Sequence, residues 1–458
     1  MTIRMEKDSL GSIEVPITAL WGAQTQRALL NFPISQWPMP QSFIETMGLL
    51  KSCAAKANLD LKLISQEKAE VIIKIGEEIA KGVHLEHFPL DVFQTGSCTS
   101  SNMNVNEVIV GLAEKIYKIQ LHPNDDVNMS QSSNDFIPSV IHAATVISGF
   151  KLLLPAIDQL LLSLQRRKKE LQNVVKTGRT HLMDALPLTF GQEISGWIAQ
   201  ISFAKDSLTT QLRCCQQLAI GGTAVGTGLN ALPEFSGNLI GHLNAKTGLS
   251  FEVGENFFEL LSSQDRIVAC SGALKTLAVA LTKIASDLRW MNSGPCAGLG
   301  EIRLPSVQPG SSIMPGKVNP VIVESCLMVC AHVIGTDLTI SLAGQSGNFQ
   351  LNVMLPIIAY HLLENIRILA NTCSNLAAKA IDGFEVCVDS IEALLSKNPI
   401  VITALNRKIG YERGAIIAKK ALAENRPVID VALEETSLSR KELEEILDPY
   451  HLTQGGLN

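Results

Sequence analysis

From Phe257 to Trp290 the chain reads FFELLSSQDRIVACSGALKTLAVALTKIASDLRW. Leu260, Ile267, Leu274, Leu281 and Leu288 recur at every seventh position, and Gln264, Ser271, Ala278 and Ala285 follow four residues behind. Large side chains alternating with small ones along one stripe let helices approach closely. At about 1.5 Å per residue the stretch predicts a rod roughly 50 Å long, well beyond the usual globular helix. Such a rod needs neighbours along all of it, so the core is expected to be a helix bundle.

The neighbours are legible. One helix is expected to begin near Asn134 and carry Ile137, Ile141, Ala144 and Ile147. Another runs from Pro155 through Ile157, Leu160, Leu161 and Leu164. A third starts at Pro320 with Val323, Leu327, Cys330, Ile334 and Leu338 on one face, and a fourth covers Pro356 to Ala380. The C-terminal part breaks at Asn398-Pro399, Gly410 and Arg426-Pro427, and Ser439-Arg-Lys-Glu442 is a capping box. Glu444 and Glu445 there read as a solvated face. The reading is all-α in three regions: 1–134, mixed but mainly helical; 135–355, the long-helix bundle; 356–458, short helices.

The chain has 458 residues, 46% hydrophobic and only 18% charged. So little charge implies apolar surface covered by other subunits. A net charge of −6 opposes nucleic acid as a partner, so any anion must be held by local donors. Ten cysteines without a CxxC, several in apolar helical patterns, suit a reducing compartment, here the cytoplasm. His84 and His87 form HLEH, which lacks the spacing of a zinc helix, and no metal is expected. The N-terminal MTIRMEKDSLG has no apolar core of a signal peptide, and no uninterrupted apolar run approaches the ~20 residues of a membrane span.

Against this background stand five polar islands. Gly310-Ser-Ser-Ile-Met-Pro-Gly-Lys-Val-Asn-Pro320 places two hydroxyls, an ammonium and a carboxamide in a Gly/Pro-framed loop. It can present Ser311, Lys317 and Asn319 around a small anion; it can also be a plain turn with Asn319 as N-cap and Pro320 at N1. The others are Gly96-Ser-Cys-Thr-Ser-Ser-Asn102, His122-Pro-Asn-Asp125 running into Ser132-Ser-Asn134, Gly178-Arg-Thr-His181, and the Gly-rich stretch 219–230. The Gly-rich stretch lacks the Gly-Lys-Ser/Thr ending of a P-loop and reads as a flexible break. Ser132-Ser133-Asn134 reads as a helix cap, which does not exclude an anion at the same end. Neutral donors with one cation suit a dicarboxylate. Proton removal beside a carboxylate needs a base and stabilisation of the resulting dianion. Ser311 would serve only as an alkoxide held in a positive, water-poor loop, and His181 is the natural second acid/base group.

In this order the blocks resemble the fumarase/aspartase superfamily, most closely its class II fumarases. The resemblance runs from Glu6-Lys-Asp-Ser-Leu-Gly11 and Leu20-Trp-Gly-Ala-Gln-Thr-Gln-Arg27 to Gly347-Asn-Phe-Gln-Leu-Asn352. It implies an all-α, three-domain fold whose central helices form a homotetramer, with each active site drawn from three subunits. It implies reversible hydration of fumarate to L-malate in the tricarboxylic acid cycle, without metal or organic cofactor. By the same resemblance Ser311 is the base, His181 positions water, Glu324 is its carboxylate partner and Lys317 joins them. Substrate contacts fall on Ser97, Cys98, Thr99, Ser132, Ser133, Asn134, Thr180, Ser312, Lys317, Val318 and Asn319. A second dicarboxylate site falls on His122, Pro123, Asn124 and Asp125.

Aspartases usually carry Gln where this chain has His181, which favours the hydratase. An aspartate ammonia-lyase and a silent structural tetramer stay as alternatives. Three residues depart from the pattern: Cys98 replaces a usual Gly beside the substrate hydroxyls, Cys296 stands where Gly-Pro-Arg is common, and Ile119 takes a position basic in some members.

Overall fold

The computed structural model describes residues 2–456. It is helical throughout, with strands only as five two-stranded pairings among the described residues. Two compact units are each assembled from three separate stretches. One comprises 2–155, 204–278 and 330–370; the other comprises 156–203, 279–329 and 371–456.

The first unit opens with a hairpin, Ile3–Asp8 against Gly11–Pro16. Helices Gln41–Asp60 and Gln66–Ala80 then cross at glycines. A Cβ on Gly48 would stand 2.7 Å from the Gly76 carbonyl, and one on Gly76 the same distance from that of Gly48. Only glycine permits that approach. The expected helix near Asn134 is Ser133–Ser148, and Ser132 and Asp135 form its capping box. It does not stop before Pro155. A wide turn at Gly149–Leu153 carries it into Leu154–Glu170. Pro155 follows that turn, and its missing N–H does not end the helix.

The rod is shorter than the heptad stripe implied. Phe257–Ser262 is a separate helix capped by Asn256, and the long one is Asp265–Met291, 27 residues or about 40 Å. The break falls at Ser263, whose Oγ accepts the Asp265 N–H at 3.3 Å and so caps the second helix. The stripes themselves hold: Leu260, Ile267, Leu274, Leu281 and Leu288 are buried, as are Gln264, Ser271, Ala278 and Ala285.

Helix Val321–Gly344 corrects the face read for it. Val323, Cys326, Cys330, Val333, Ile340 and Ala343 are buried, whereas Leu338 is 62% exposed and Met328 67%. Val323 and Cys330 of the expected face are buried, but Ile334 and Leu338 are exposed, and Cys326, Val333 and Ile340 complete the inner face in their stead. No uninterrupted apolar run approaches ~20 residues, yet three helices reach the average hydropathy of a membrane span. Residues 133–170, 265–291 and 321–344 are long and apolar enough by length and composition. Bundle helices that are apolar on most sides produce that signature.

The second unit contains the hairpin Val175–Thr180 with Met183–Thr189. Its C-terminal core packs Leu405, Ile417, Val431 and Leu443, and the Ser439 capping box forms as expected. Glu444 and Glu445 are solvent-exposed.

Candidate active site

Loop 310–320 is tied shut at its base. The Gly310 N–H donates to the Lys317 carbonyl at 2.9 Å, and Asn319 Nδ2 donates to the Gly310 carbonyl at 2.6 Å. A Cβ on Gly310 would lie 2.3 Å from the Lys317 oxygen, so this position requires glycine. Asn319 therefore closes the loop and does not cap the following helix, which starts at Val321. Inside the loop Ser311 Oγ accepts N–H bonds from Ile313 at 3.2 Å and Met314 at 3.0 Å. Donors aimed at an oxygen favour its anionic form. Ser312, Lys317 and Val318 point to solvent on the same loop, and Glu324 is exposed on the first turn of Val321–Gly344.

His181 sits at the tip of a hairpin, a strand feature that the helical reading missed. Thr180 pairs with Met183, leaving His181 and Leu182 as a two-residue turn with φ of +57° and +61°. Two successive positive φ values define a type I′ turn, which normally takes Asn and Gly. Each costs a bulky L-residue about 1–2 kcal/mol, and such strain persists only where surrounding structure imposes it. Thr180, His181, Leu182 and Met183 are all exposed. Among the described residues no hydrogen bond or ion pair joins His181 to Ser311, Lys317 or Glu324.

In the first unit three islands converge. Ser97 Oγ and Thr99 Oγ1 share a hydrogen bond of 2.8 Å at the start of helix Thr99–Leu112. Asn102 from that helix donates to Ser133 Oγ at 3.2 Å, and Asn134 Nδ2 donates to the Ala224 carbonyl at 2.9 Å. The Gly-rich stretch is thus no loose break. Gly221 and Thr223 give their N–H groups to the Asp135 carboxylate at 3.0 and 2.9 Å. Asp135 Oδ1 also takes the Ser132 N–H at 2.8 Å. Burial pushes this carboxyl up to about 6 against those stabilising amides.

Beneath the cap lies Lys51, fully buried, donating to Asn128 Oδ1 and Gln131 Oε1 at 3.0 Å each. Burial depresses its ammonium well below the usual lysine range, although the Asp135 charge opposes this. Asp135 was readable as the fourth member of Ser-Ser-Asn-Asp; Lys51, set in an apolar run, signalled only by its oddity.

Cys98 corrects one expectation. Its φ is +59°, which explains why glycine is usual there. Its thiol, however, is buried and turned towards Gln94 Oε1 at 3.7 Å, away from the hydroxyl pair, and burial pushes it up to about 12. Residues His122, Pro123, Asn124 and Asp125 form one turn in which His122 Nδ1 accepts the Asp125 N–H at 3.1 Å. In the HLEH pair His84 bonds Glu78 at 3.0 Å, and His87 stands edge-on to Trp21.

A family model described as Lyase matches residues 11–335, and one described as Fumarase C C-terminus matches 401–454. Proteins named fumarate hydratase class II from Xylella fastidiosa and Pseudomonas aeruginosa are each 53% identical to the chain. Both matches cover 99% of it, with 96% and 99% of those proteins. The chain belongs to the class II fumarate hydratase family. The crystal structure of class II fumarase from Schistosoma mansoni superposes with a TM-score of 0.95 at 36% identity, over 99% of each chain. Cys296, one of the three departures in sequence, is exposed.

Proposed function

We propose that the chain catalyses the reversible addition of water to fumarate, giving L-malate, by acid–base chemistry. Whole-length identity with class II fumarate hydratases supports the reaction, and the observation that carries the mechanism is Ser311 Oγ between two backbone donors. In the dehydration direction the Ser311 alkoxide takes the proton from the carbon beside a carboxylate. The electron pair moves onto that carboxylate as a dianion, which Lys317 and Asn319 stabilise. The pair then returns to form the double bond as hydroxide leaves the neighbouring carbon. The proton that completes the departing water comes from the His181 imidazolium through a water it holds; His181, oriented by Glu324, is left neutral. Ser97, Thr99, Ser132, Ser133, Asn134, Thr180, Ser312 and the backbone at Cys98 and Val318 hold the two carboxylates. The His122–Asp125 turn is the second dicarboxylate site.

We read the working form as a cytoplasmic homotetramer of three-region chains (1–134, 135–355 and 356–458) whose sites combine subunits, the assigned residues coming from the first two regions. The apolar exposed face of Val321–Gly344, with Met328, Leu338 and Leu342, supports the assembly. Ultraviolet absorbance of fumarate tests the reaction. Loss with water alone, and appearance from L-malate but not from aspartate, is the expected result; fumarate appearing only from aspartate, or no change, refutes it.

A further inference from the structure

Glu301 is a carboxylate with only 1% of its surface exposed. Its Oε1 accepts Arg179 Nη2 at 2.7 Å. Its Oε2 lies 2.9 Å from Lys176 Nζ, a charge contact outside hydrogen-bond geometry. Both cations belong to strand Val175–Thr180, three residues apart, so regular pleating would send them to opposite faces. The ladder is bulged between them. Thr177 pairs with Pro187 but Arg179 with Asp184, so Gly178 faces both Ala185 and Leu186. A bulge steepens the local twist and re-aims side chains. A Cβ at Gly178 would stand 2.5 Å from the Leu186 carbonyl, so the approach depends on glycine.

We propose that Glu301 is a positioning residue for the reaction: by gripping Lys176 and Arg179 from one point, it fixes the hairpin whose strained tip carries His181. The inference rests on the reading of His181 as the water-positioning group. A type I′ turn of His and Leu resists relaxation only if both its strands are held. Asn398 holds the outer strand through the Ala185 carbonyl at 2.8 Å, and Glu301 holds the inner one. Glu193, 2.9 Å from Lys176, keeps that buried ammonium paired if Glu301 loses its charge. Arg179 is partly exposed and can turn to water. Removing the charge should therefore loosen the hairpin without unfolding the unit.

The test measures steady-state hydration and backbone hydrogen exchange on full-length wild-type protein and Glu301→Gln. The expected result is a fall in kcat on the order of 10²-fold, as for a displacement of about 1 Å, with the KM for fumarate changed far less, because Thr180 is one of several groups assigned to the carboxylates. Faster exchange should be confined to residues 175–189. Unchanged kcat, a KM that rises in step with the fall, or protection lost across the whole unit overturns the proposal. Should Glu301→Gln not fold, Arg179→Met, which keeps the buried Glu301–Lys176 contact, is judged by the same criteria. A wild type that does not hydrate fumarate refutes the proposed function, and the exchange pattern then decides the clamp by itself.

Discussion

Asn319 and Gly310, nine residues apart, are joined by a 2.6 Å bond from side-chain amide to backbone carbonyl, closing the loop that carries Ser311. Closure leaves Ser311 Oγ facing two N–H groups of its own loop, so the oxygen is pre-organised as an acceptor. Ser311→Ala should lower turnover by about 10²–10⁴-fold, as for a positioned acid–base group, with the assembly intact. Full activity in that variant would remove Ser311 from the chemistry.

His181 occupies a backbone conformation that Asn tolerates well. His181→Asn should therefore keep the hairpin and the affinity for fumarate while slowing hydration. Steady-state kinetics with a competitive dicarboxylate separates the two. Equal losses of turnover and inhibitor affinity would make His181 a binding residue only.

Periodicity made the bundle legible, because burial of a stripe such as Ile267, Leu274 and Leu281 is a local property of one helix. The hairpin at 175–189 was not legible. Gly-Arg-Thr-His-Leu-Met carries no Asn-Gly turn signal, and its turn is imposed by contacts remote in sequence. The loop residues Ser311, Lys317 and Asn319 announced themselves as polar groups framed by Gly and Pro. Lys51 and Glu301 did not, since a buried charge is defined by partners that no local window contains. The face of Val321–Gly344 failed for a related reason: an almost uniformly apolar helix leaves the choice of inner face to its neighbours.

Asp135 should make stability fall with rising pH. Its folded value near 6 lies above the 3.8 of an ordinary aspartate, so the unfolded chain releases its proton first. The contribution is whole below about pH 4 and is lost as pH rises through 6, by about 3 kcal/mol. Lys51 faces the same cluster, and its depressed value acts in the opposite sense, adding stability as pH rises. Urea midpoints of wild type and Asp135→Asn are compared from pH 4.5 to 7.5, about the window set by those values; loss of the Asp135 charge also depresses Lys51 further. The stability of the variant relative to wild type should rise with pH across that window; parallel profiles would refute the assignment.

Leu338 is 62% exposed on a helix whose other face is fully packed. Leu338→Lys should weaken subunit association while leaving the helical circular-dichroism signal unchanged, because the side chain contributes little to its own unit's core. Sedimentation would then show smaller species and activity would fall with them. A tetramer that persists at all concentrations would place the interface on another surface.

Cys98→Gly tests how far the thiol matters. Glycine relieves a left-handed backbone that costs a cysteine about 1 kcal/mol, but it also empties a fully buried side-chain site, a loss of similar size. Stability should change by less than about 1 kcal/mol, and the KM for fumarate should stay unchanged because the Sγ faces Gln94. In the wild type a thiol reagent should modify exposed Cys214 and Cys296 first, leaving Cys98 until the protein unfolds. Early modification of Cys98, or a KM that shifts on its replacement, would show that the thiol reaches the hydroxyl pair of Ser97 and Thr99 after all.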